Sequence, residues 1–223
     1  MVIMMRVAIF DFDGTLYAKE TYQLLMDHLK KHPVYHTRFN RFYRSILPPY
    51  LGHKLKVYPT HKMRARSMEI YLKALEGLSA NELEEYFKEI SDKMRSDFNP
   101  LVVSQVKQHA QDGLHIMLVS GAYTPLLHIA TKGLPFDTII GTDIPLNNRT
   151  LDTKAPIHHV QGLRKNEQIE AFLGDKEIDW ANSFAYGDSY SDLSVLNLVG
   201  NPVAVQPEPR LKDVAVKKDW LII

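Results

Sequence analysis

The chain has 223 residues, 45% hydrophobic and 24% charged, which is enough for one to two domains with a sizeable core and too apolar for extended disorder. It contains no cysteine, which excludes a disulfide scaffold, a thiol nucleophile and a zinc–cysteine site. Lys and Arg number 27 against 26 Asp and Glu, a formal net charge of +1 that gives no overall polyanion-binding signature.

In chain order, residues 1–5 are apolar but meet Arg6 at once, with neither a basic lead-in nor a small-residue cleavage site, so no signal peptide is expected. No apolar run is long enough to span a bilayer, so the expected setting is cytoplasmic with no membrane partner. Residues 7–10 read as a buried strand that ends in the polar turn Asp11-Phe12-Asp13-Gly14-Thr15. From about residue 17 to 96 the pattern is helical, with helices predicted at 20–31, 35–47, 61–75 and 81–94, the last capped by Ser79. Further strands are predicted at 116–119 before Ser120-Gly121, at 138–140, at 184–186 before Gly187-Asp188-Ser189, and at 203–205. Helices are predicted at 124–131, 165–173, 192–198 and 208–217.

This alternation predicts an α/β fold: a Rossmann-like parallel sheet with helices on both faces and a ligand site at the carboxyl ends of the strands. Residues 1–16 and 97–223 form the predicted core. Residues 17–96 form an all-helical cap inserted after the first strand, in the position of a lid. The cap holds 15 Lys/Arg and 9 Asp/Glu, a net of +6, and the remainder holds 12 and 17, a net of −5. From His28 through Met68 there are ten Lys/Arg, five histidines and no acidic residue. Such a stretch reads as a solvated face, as a cover that attracts an anionic substrate, or as a contact for acidic lipid or nucleic acid. Nucleic acid is not the expected partner. The histidines, His158 and His159 included, lack Asp or Glu companions at helical spacing and read as surface or packing residues, and Met63, Met68 and Tyr71 read as bundle core.

The chemistry-bearing residues lie at the strand tips. Asp11 and Asp13, one residue apart, repel each other unless a cation lies beside them, and a hard ion such as Mg²⁺ suits a chain with oxygen ligands and no thiols. A turn with local aspartate hydrogen bonds is the simpler alternative. An EF-hand loop is excluded because Thr15 and Leu16 stand where a ligand and glycine are required. Asp188 and Asp192 form a second acidic pair, of which one can complete a metal shell, or Ser191 or Asp192 can cap the next helix. Ser120-Gly121 offers a hydroxyl and backbone N–H groups to a phosphate oxygen, or is an ordinary turn. Lys165 is anonymous alone, with Arg164 and Lys154 in reserve.

Taken together, Asp11-Phe12-Asp13-Gly14-Thr15-Leu16, Val119-Ser120-Gly121, Lys165 and Gly187-Asp188-Ser189-Tyr190-Ser191-Asp192 resemble the four ordered motifs of the haloacid dehalogenase-like phosphatases. The helical insertion and the intervals between motifs resemble the phosphoserine phosphatase-like branch. The resemblance covers about residues 6–220. It implies an Mg²⁺-dependent phosphomonoester hydrolase acting on a small phosphorylated metabolite. Asp11 is the implied nucleophile, forming an aspartyl-phosphate, and Asp13 is the acid and base. Ser120 and Lys165 hold the phosphoryl oxygens, with Gly121 and Thr15 around them. Asp11, the Asp13 carbonyl, Asp188 and Asp192 hold or orient the metal. Glu20 stands where that branch contacts the substrate amino group, so phosphoserine or another amine-bearing phosphate is implied; the alternative for Glu20 is a helix start. Gly14, Ala122 and Leu163-Arg164 depart from the branch's usual residues, so the resemblance fixes a reaction class rather than a substrate. Transfer to an acceptor other than water and low-turnover phosphate binding are the alternatives.

Overall fold

The first strand, β1 (Val7–Phe10), is buried along its whole length, as a central strand of a parallel sheet must be. In the computed structural model, which describes residues 4–223, β1 is flanked by β2 (His115–Tyr123) and β6 (Phe184–Gly187). With β3 (Thr138–Thr142), β7 (Asn201–Ala204) and β8 (Leu221–Ile222), the sheet order is β3-β2-β1-β6-β7-β8, and every pairing is parallel. Met1, Val2 and Ile3 of the apolar leader lie outside the described residues.

Strand alternation divides the core between two faces. Val7, Ile9, Met117 and Val119 pack against Ile169, Leu173, Leu196 and Leu211, carried by α7 (Leu163–Leu173), α8 (Leu193–Leu196) and α9 (Pro209–Lys217). Ala8, Phe10, Ile116 and Leu118 face Val102, Val106, Leu126 and Leu127 on α5 (Pro100–Gln111) and α6 (Thr124–Ala130). The sheet therefore carries helices on both faces, as its sequence pattern implies.

Three elements were not expected. The whole of α5 follows a readable start signal, with Pro100 in its first turn and the Asn99 side chain accepting from the Leu101 N–H. A hairpin joins β4 (Leu146–Asn147) to β5 (Thr150–Leu151) through Asn148 and Arg149, both at positive φ (48° and 61°), which a tight two-residue hairpin requires. An arginine at the second turn position conceals that signal. The third is β8, too short to show a period.

Between β1 and β2 run α1 (Thr21–Lys31), α2 (His36–Lys54), α3 (Thr60–Ala74) and α4 (Ala80–Met94). The predicted end of the second helix at residue 47 is corrected: α2 continues through Pro48 and Pro49 to Lys54. Each proline removes a helix N–H, but packing of α2 on α3 carries the helix past them. Its end is set further on, where the Gly52 carbonyl accepts from the N–H groups of Val57 and Tyr58. α4 begins with a capping box formed by Ser79 and Glu82 and buries Leu83, Tyr86, Phe87, Ile90 and Met94 at helical spacing.

These helices have no core separate from the sheet. Leu25, Phe42, Tyr71 and Phe87 belong to the same apolar cluster as Leu118 and Tyr123, α4 packs along α6, and the Tyr123 hydroxyl donates to the Met68 carbonyl at 2.7 Å. The two chain crossings between the layers are tied together. Ala18 N–H donates to Asp97 O (3.0 Å), Asn99 N–H donates to Leu16 O (2.8 Å), and Lys19 pairs with Asp97 (2.8 Å). No helix among the described residues is long and apolar enough to cross a membrane.

Candidate active site

Sheet register brings the motifs to one edge. Phe10 pairs with Leu118 and with Tyr186, so Asp11 lies one residue past β1's partnered end, while Ser120 and Asp188 lie two residues past their pairing partners. The Asp11 N–H extends the ladder by donating to Tyr186 O at 3.0 Å. Gly14, at φ +74°, gives the turn its left-handed step; an added Cβ there would overlap the Asp188 carboxylate.

Lys165 joins the motifs. It sits in the first turn of α7 with its side chain 6% exposed, donating to Asp11 Oδ1 at 2.6 Å and to Asp192 Oδ1 at 2.7 Å. Arg164 and Lys154, the reserve candidates, are exposed, so burial singles out Lys165. Asp192 is fixed on its other side: its Oδ2 accepts from the N–H and hydroxyl of Ser189. Ser189, rather than Ser191 or Asp192, therefore caps the following turn, with Asp192 as its capping-box partner.

Carboxylate oxygens of Asp11, Asp188 and Asp192 all lie within 4.8 Å of one another. Burial, then the Asp192 charge, push the Asp11 carboxyl well above the usual range, with Lys165 pulling it back. Burial followed by the charges of Asp192 and Glu20 pushes Asp188 up to about 7. For Lys165, burial works against the ammonium, yet Asp11 and Asp192 outweigh it and the net shift is upward. Three crowded carboxyls against one ammonium leave the cluster short of positive charge. Hard oxygen donors under that stress are the donor set of a divalent cation of the Mg²⁺ class.

Asp13 faces elsewhere. Its Oδ1 accepts both the Thr21 N–H (2.9 Å) and the Thr21 hydroxyl, at the first residue of α1, and burial raises it to about 6 despite those bonds. Its carboxylate lies outside the acidic cluster, which leaves its backbone carbonyl as its route to a metal. Thr15 is fully buried, with its hydroxyl 3.4 Å from Asp188 Oδ1, a place from which it steadies Asp188. Ser120-Gly121 is not the terminal turn expected: β2 runs on to Tyr123 with a register shift between Val119 and Tyr123. Ser120 Oγ accepts the Ala122 N–H at 3.1 Å and keeps its own proton for another acceptor. A Cβ on Gly121 would press on the Val160 carbonyl, so the loop preceding α7 lies directly against this bulge. Glu20 is exposed at the start of α1, makes no capping bond, and its charge is felt at both Asp13 and Asp188.

Two features escaped sequence reasoning. Arg64, on α3, lies near enough to lower the Asp13 carboxyl; only its place in the basic stretch hinted at it. His28 and His32 meet Glu89 of α4, each Nε2 within 3.5 Å of its carboxylate. The His28 Nδ1 accepts from Lys93, and the His32 Nδ1 accepts from the N–H groups of Val34 and Tyr35. Both rings therefore carry their protons on Nε2 and turn that edge toward the Glu89 carboxylate, at ion-pair distance, with the buried His28 Nε2 lacking a hydrogen-bond partner.

Comparison with known proteins gives a consistent picture. The family profile described as haloacid dehalogenase-like hydrolase matches residues 8–197. Among curated relatives, the inhibition of morphological differentiation protein of Streptomyces azureus is 24% identical over 161 residues, which span 70% of this chain and 57% of that protein. A histidinol-phosphatase of Neisseria meningitidis serogroup C is 25% identical over 165 residues, 70% of this chain and 72% of its own length. The chain thus spans little more than half of the first of these relatives. Of solved structures, a protein of unknown function from Bordetella pertussis Tohama I superposes with a TM-score of 0.81 at 20% identity, covering 99% of both chains. A substrate-bound phosphoserine phosphatase superposes at 0.66 with 17% identity, covering 99% of this chain and 93% of its own. At these identities the two structures establish the fold.

Proposed function

The chain belongs to the haloacid dehalogenase-like hydrolase family, and we propose that it is an Mg²⁺-dependent phosphomonoester hydrolase that works through a phosphorylated Asp11 on small, amine-bearing phosphorylated metabolites. The observation that carries this reading is buried Lys165, bonded to both Asp11 and Asp192 with Asp188 alongside, at the carboxyl edge of the sheet. Asp11, Asp188 and the Asp13 carbonyl are the groups that would hold the ion. When bound, Mg²⁺ neutralises charge on the phosphoryl oxygens.

An Asp11 carboxylate oxygen attacks phosphorus in line; the new P–O bond forms as the bond to the substrate oxygen breaks. The leaving alkoxide takes its proton from Asp13, whose upward shift to about 6 suits a donor near neutrality. Asp13 then accepts a proton from the water that cleaves the aspartyl-phosphate, which restores Asp11. Lys165 and the Ser120 hydroxyl donate to the phosphoryl oxygens, with Gly121 allowing close approach of the backbone. Asp192 orients Lys165, and Thr15 steadies Asp188. Glu20, exposed and free of a capping role, receives a substrate ammonium; phosphoserine and histidinol phosphate are compounds of that kind.

The test measures phosphate release from p-nitrophenyl phosphate and from phosphoserine, with Mg²⁺ and with chelator. Asp11→Asn should abolish release while circular dichroism is unchanged, and normal turnover in that variant overturns the nucleophile. Indifference to chelator overturns the metal. Glu20→Ala should weaken phosphoserine turnover more than that of the aryl ester; equal loss on both removes the amine from the reading.

A further inference from the structure

The α2–α3 hairpin leaves an apolar face uncovered. Phe42 and Ile46 turn into the core, but Tyr43, Leu47, Tyr50 and Leu51, at i, i+4, i+7 and i+8, form an exposed stripe along α2. It continues into the turn after α2, where Leu55 is 74% and Val57 76% exposed. Single exposed leucines are ordinary, whereas a contiguous stripe ending in two nearly bare aliphatic side chains marks an interaction surface.

Its charged border identifies the partner. α2 and the turn after it lie wholly within the 28–68 stretch that has ten Lys/Arg and no acidic residue. Arg41 and Arg66 reach out of it to pair with Glu76 and Glu69. Among the described residues, Arg44, Lys54, Lys56 and Lys62 are exposed and have no carboxylate within ion-pairing distance. The Lys54 ammonium lies over the Tyr50 ring at 5.2 Å, a cation held beside an amphipathic aromatic at the edge of the stripe.

We propose that this face docks on an anionic lipid bilayer surface, with the leucines and Val57 entering the acyl boundary, Tyr43 and Tyr50 at headgroup level, and the four basic side chains against lipid phosphates. Aliphatic stripe, tyrosine and basic border together are what an in-plane membrane contact needs. A second copy of the chain fits poorly, since two such faces would bring their positive borders together. Nucleic acid would use the cations but leave Leu47, Leu51, Leu55 and Val57 without partners. This peripheral contact departs from the expectation of no membrane partner and is independent of the proposed catalytic chemistry.

The test is flotation of the purified full chain with phosphatidylglycerol–phosphatidylcholine vesicles, against vesicles of phosphatidylcholine alone. Binding to the anionic vesicles, weakened by salt and absent on the neutral ones, is expected. Leu51→Asp with Leu55→Asp should weaken it about tenfold or more. Lys54→Gln with Lys56→Gln should weaken it roughly fivefold per charge removed. Both variants change exposed residues that take no part in the proposed catalytic or substrate-binding groups, so p-nitrophenyl phosphate hydrolysis without vesicles should be unchanged. No flotation with anionic vesicles, or flotation that neither variant weakens, overturns the proposal. So does a dimer in sedimentation equilibrium that Leu51→Asp dissolves, which assigns the face to a second copy. Retention on single-stranded oligonucleotide that excludes vesicle binding and is lost only with the lysine variant assigns it to nucleic acid.

Discussion

Replacing Lys165 by Met tests the electrostatics of the site most directly. Methionine keeps most of the buried methylene volume but deletes a charge 2.6 Å from Asp11 and 2.7 Å from Asp192. Removing one partner of a buried ion pair costs about 3–5 kcal/mol, because the remaining charge stays buried and uncompensated. For a chain of this size that corresponds to a melting shift on the order of 10 °C. The loss should depend on pH with a defined sign. Asp11 and Asp188 already have folded pKa values above their ordinary 3.8, Asp188 at about 7, and loss of the ammonium raises them further. The folded variant then binds more protons than its unfolded chain in the window between 3.8 and those raised values, so its stability rises as pH falls and is lost as pH rises through them. Metal-free urea unfolding followed by circular dichroism should show a large deficit near about pH 8 that narrows toward about pH 5. Addition of Asp11→Asn to the variant should return part of the loss. Turnover should fall on the order of 10²–10³-fold. A variant as stable as the parent at both pH values refutes the buried pairing. A deficit equal at both assigns the cost to packing instead of charge.

Thr21→Val removes a hydroxyl bond that holds the Asp13 carboxyl down. Its pKa should therefore rise above about 6, and the limb of the kcat/KM profile that falls as the acid loses its proton should move to higher pH; an unmoved limb removes Thr21 from the tuning of Asp13. His28, with its side chain 3% exposed, is lowered from 6.5 to about 4 by burial and then by Lys93. A depressed histidine favours the neutral fold, so this stability is present above 6.5 and lost as pH falls toward 4, roughly 2 kcal/mol of it between about pH 7 and about pH 5. His28→Leu should flatten that acid limb in denaturant unfolding, and coincident limbs in parent and variant would contradict it.

The sheet was legible because its strands are short apolar runs that stop at polar turns, and the register then needs only hydrophobic burial to align their tips. Crowding in sequence pairs Asp11 with Asp13 and Asp188 with Asp192; that the Asp11 carboxylate joins the second pair while Asp13 turns to Thr21 is set by the register of the strand tips, which the chain does not display. Lys165 could not be told from Arg164 by its own surroundings in the chain; the difference is which side of α7 enters the core. The continuation of α2 past Pro48 and Pro49 was hidden because local propensity forbids what packing on α3 supplies. Glu89 beside His28 and His32 was invisible for a related reason, since α1 and α4 meet only in the folded layer.

The stitched crossings at 16–19 and 97–99, together with the seam of α4 on α6, have a dynamic consequence. With Leu78 and Ala80 also bonded to the β4–β5 hairpin and Met68 to Tyr123, the free end of the helical layer is its α2–α3 side, and displacement in a swing grows with distance from the pivot. The turn joining α2 to α3 would sweep furthest, while Thr21, two residues beyond Lys19, would scarcely stir. The Thr21 bonds to Asp13 would hold through such a motion, whereas burial and the nearness of Arg64 would not, so opening the entrance would also shift the proton affinity of Asp13 and couple substrate admission to proton transfer.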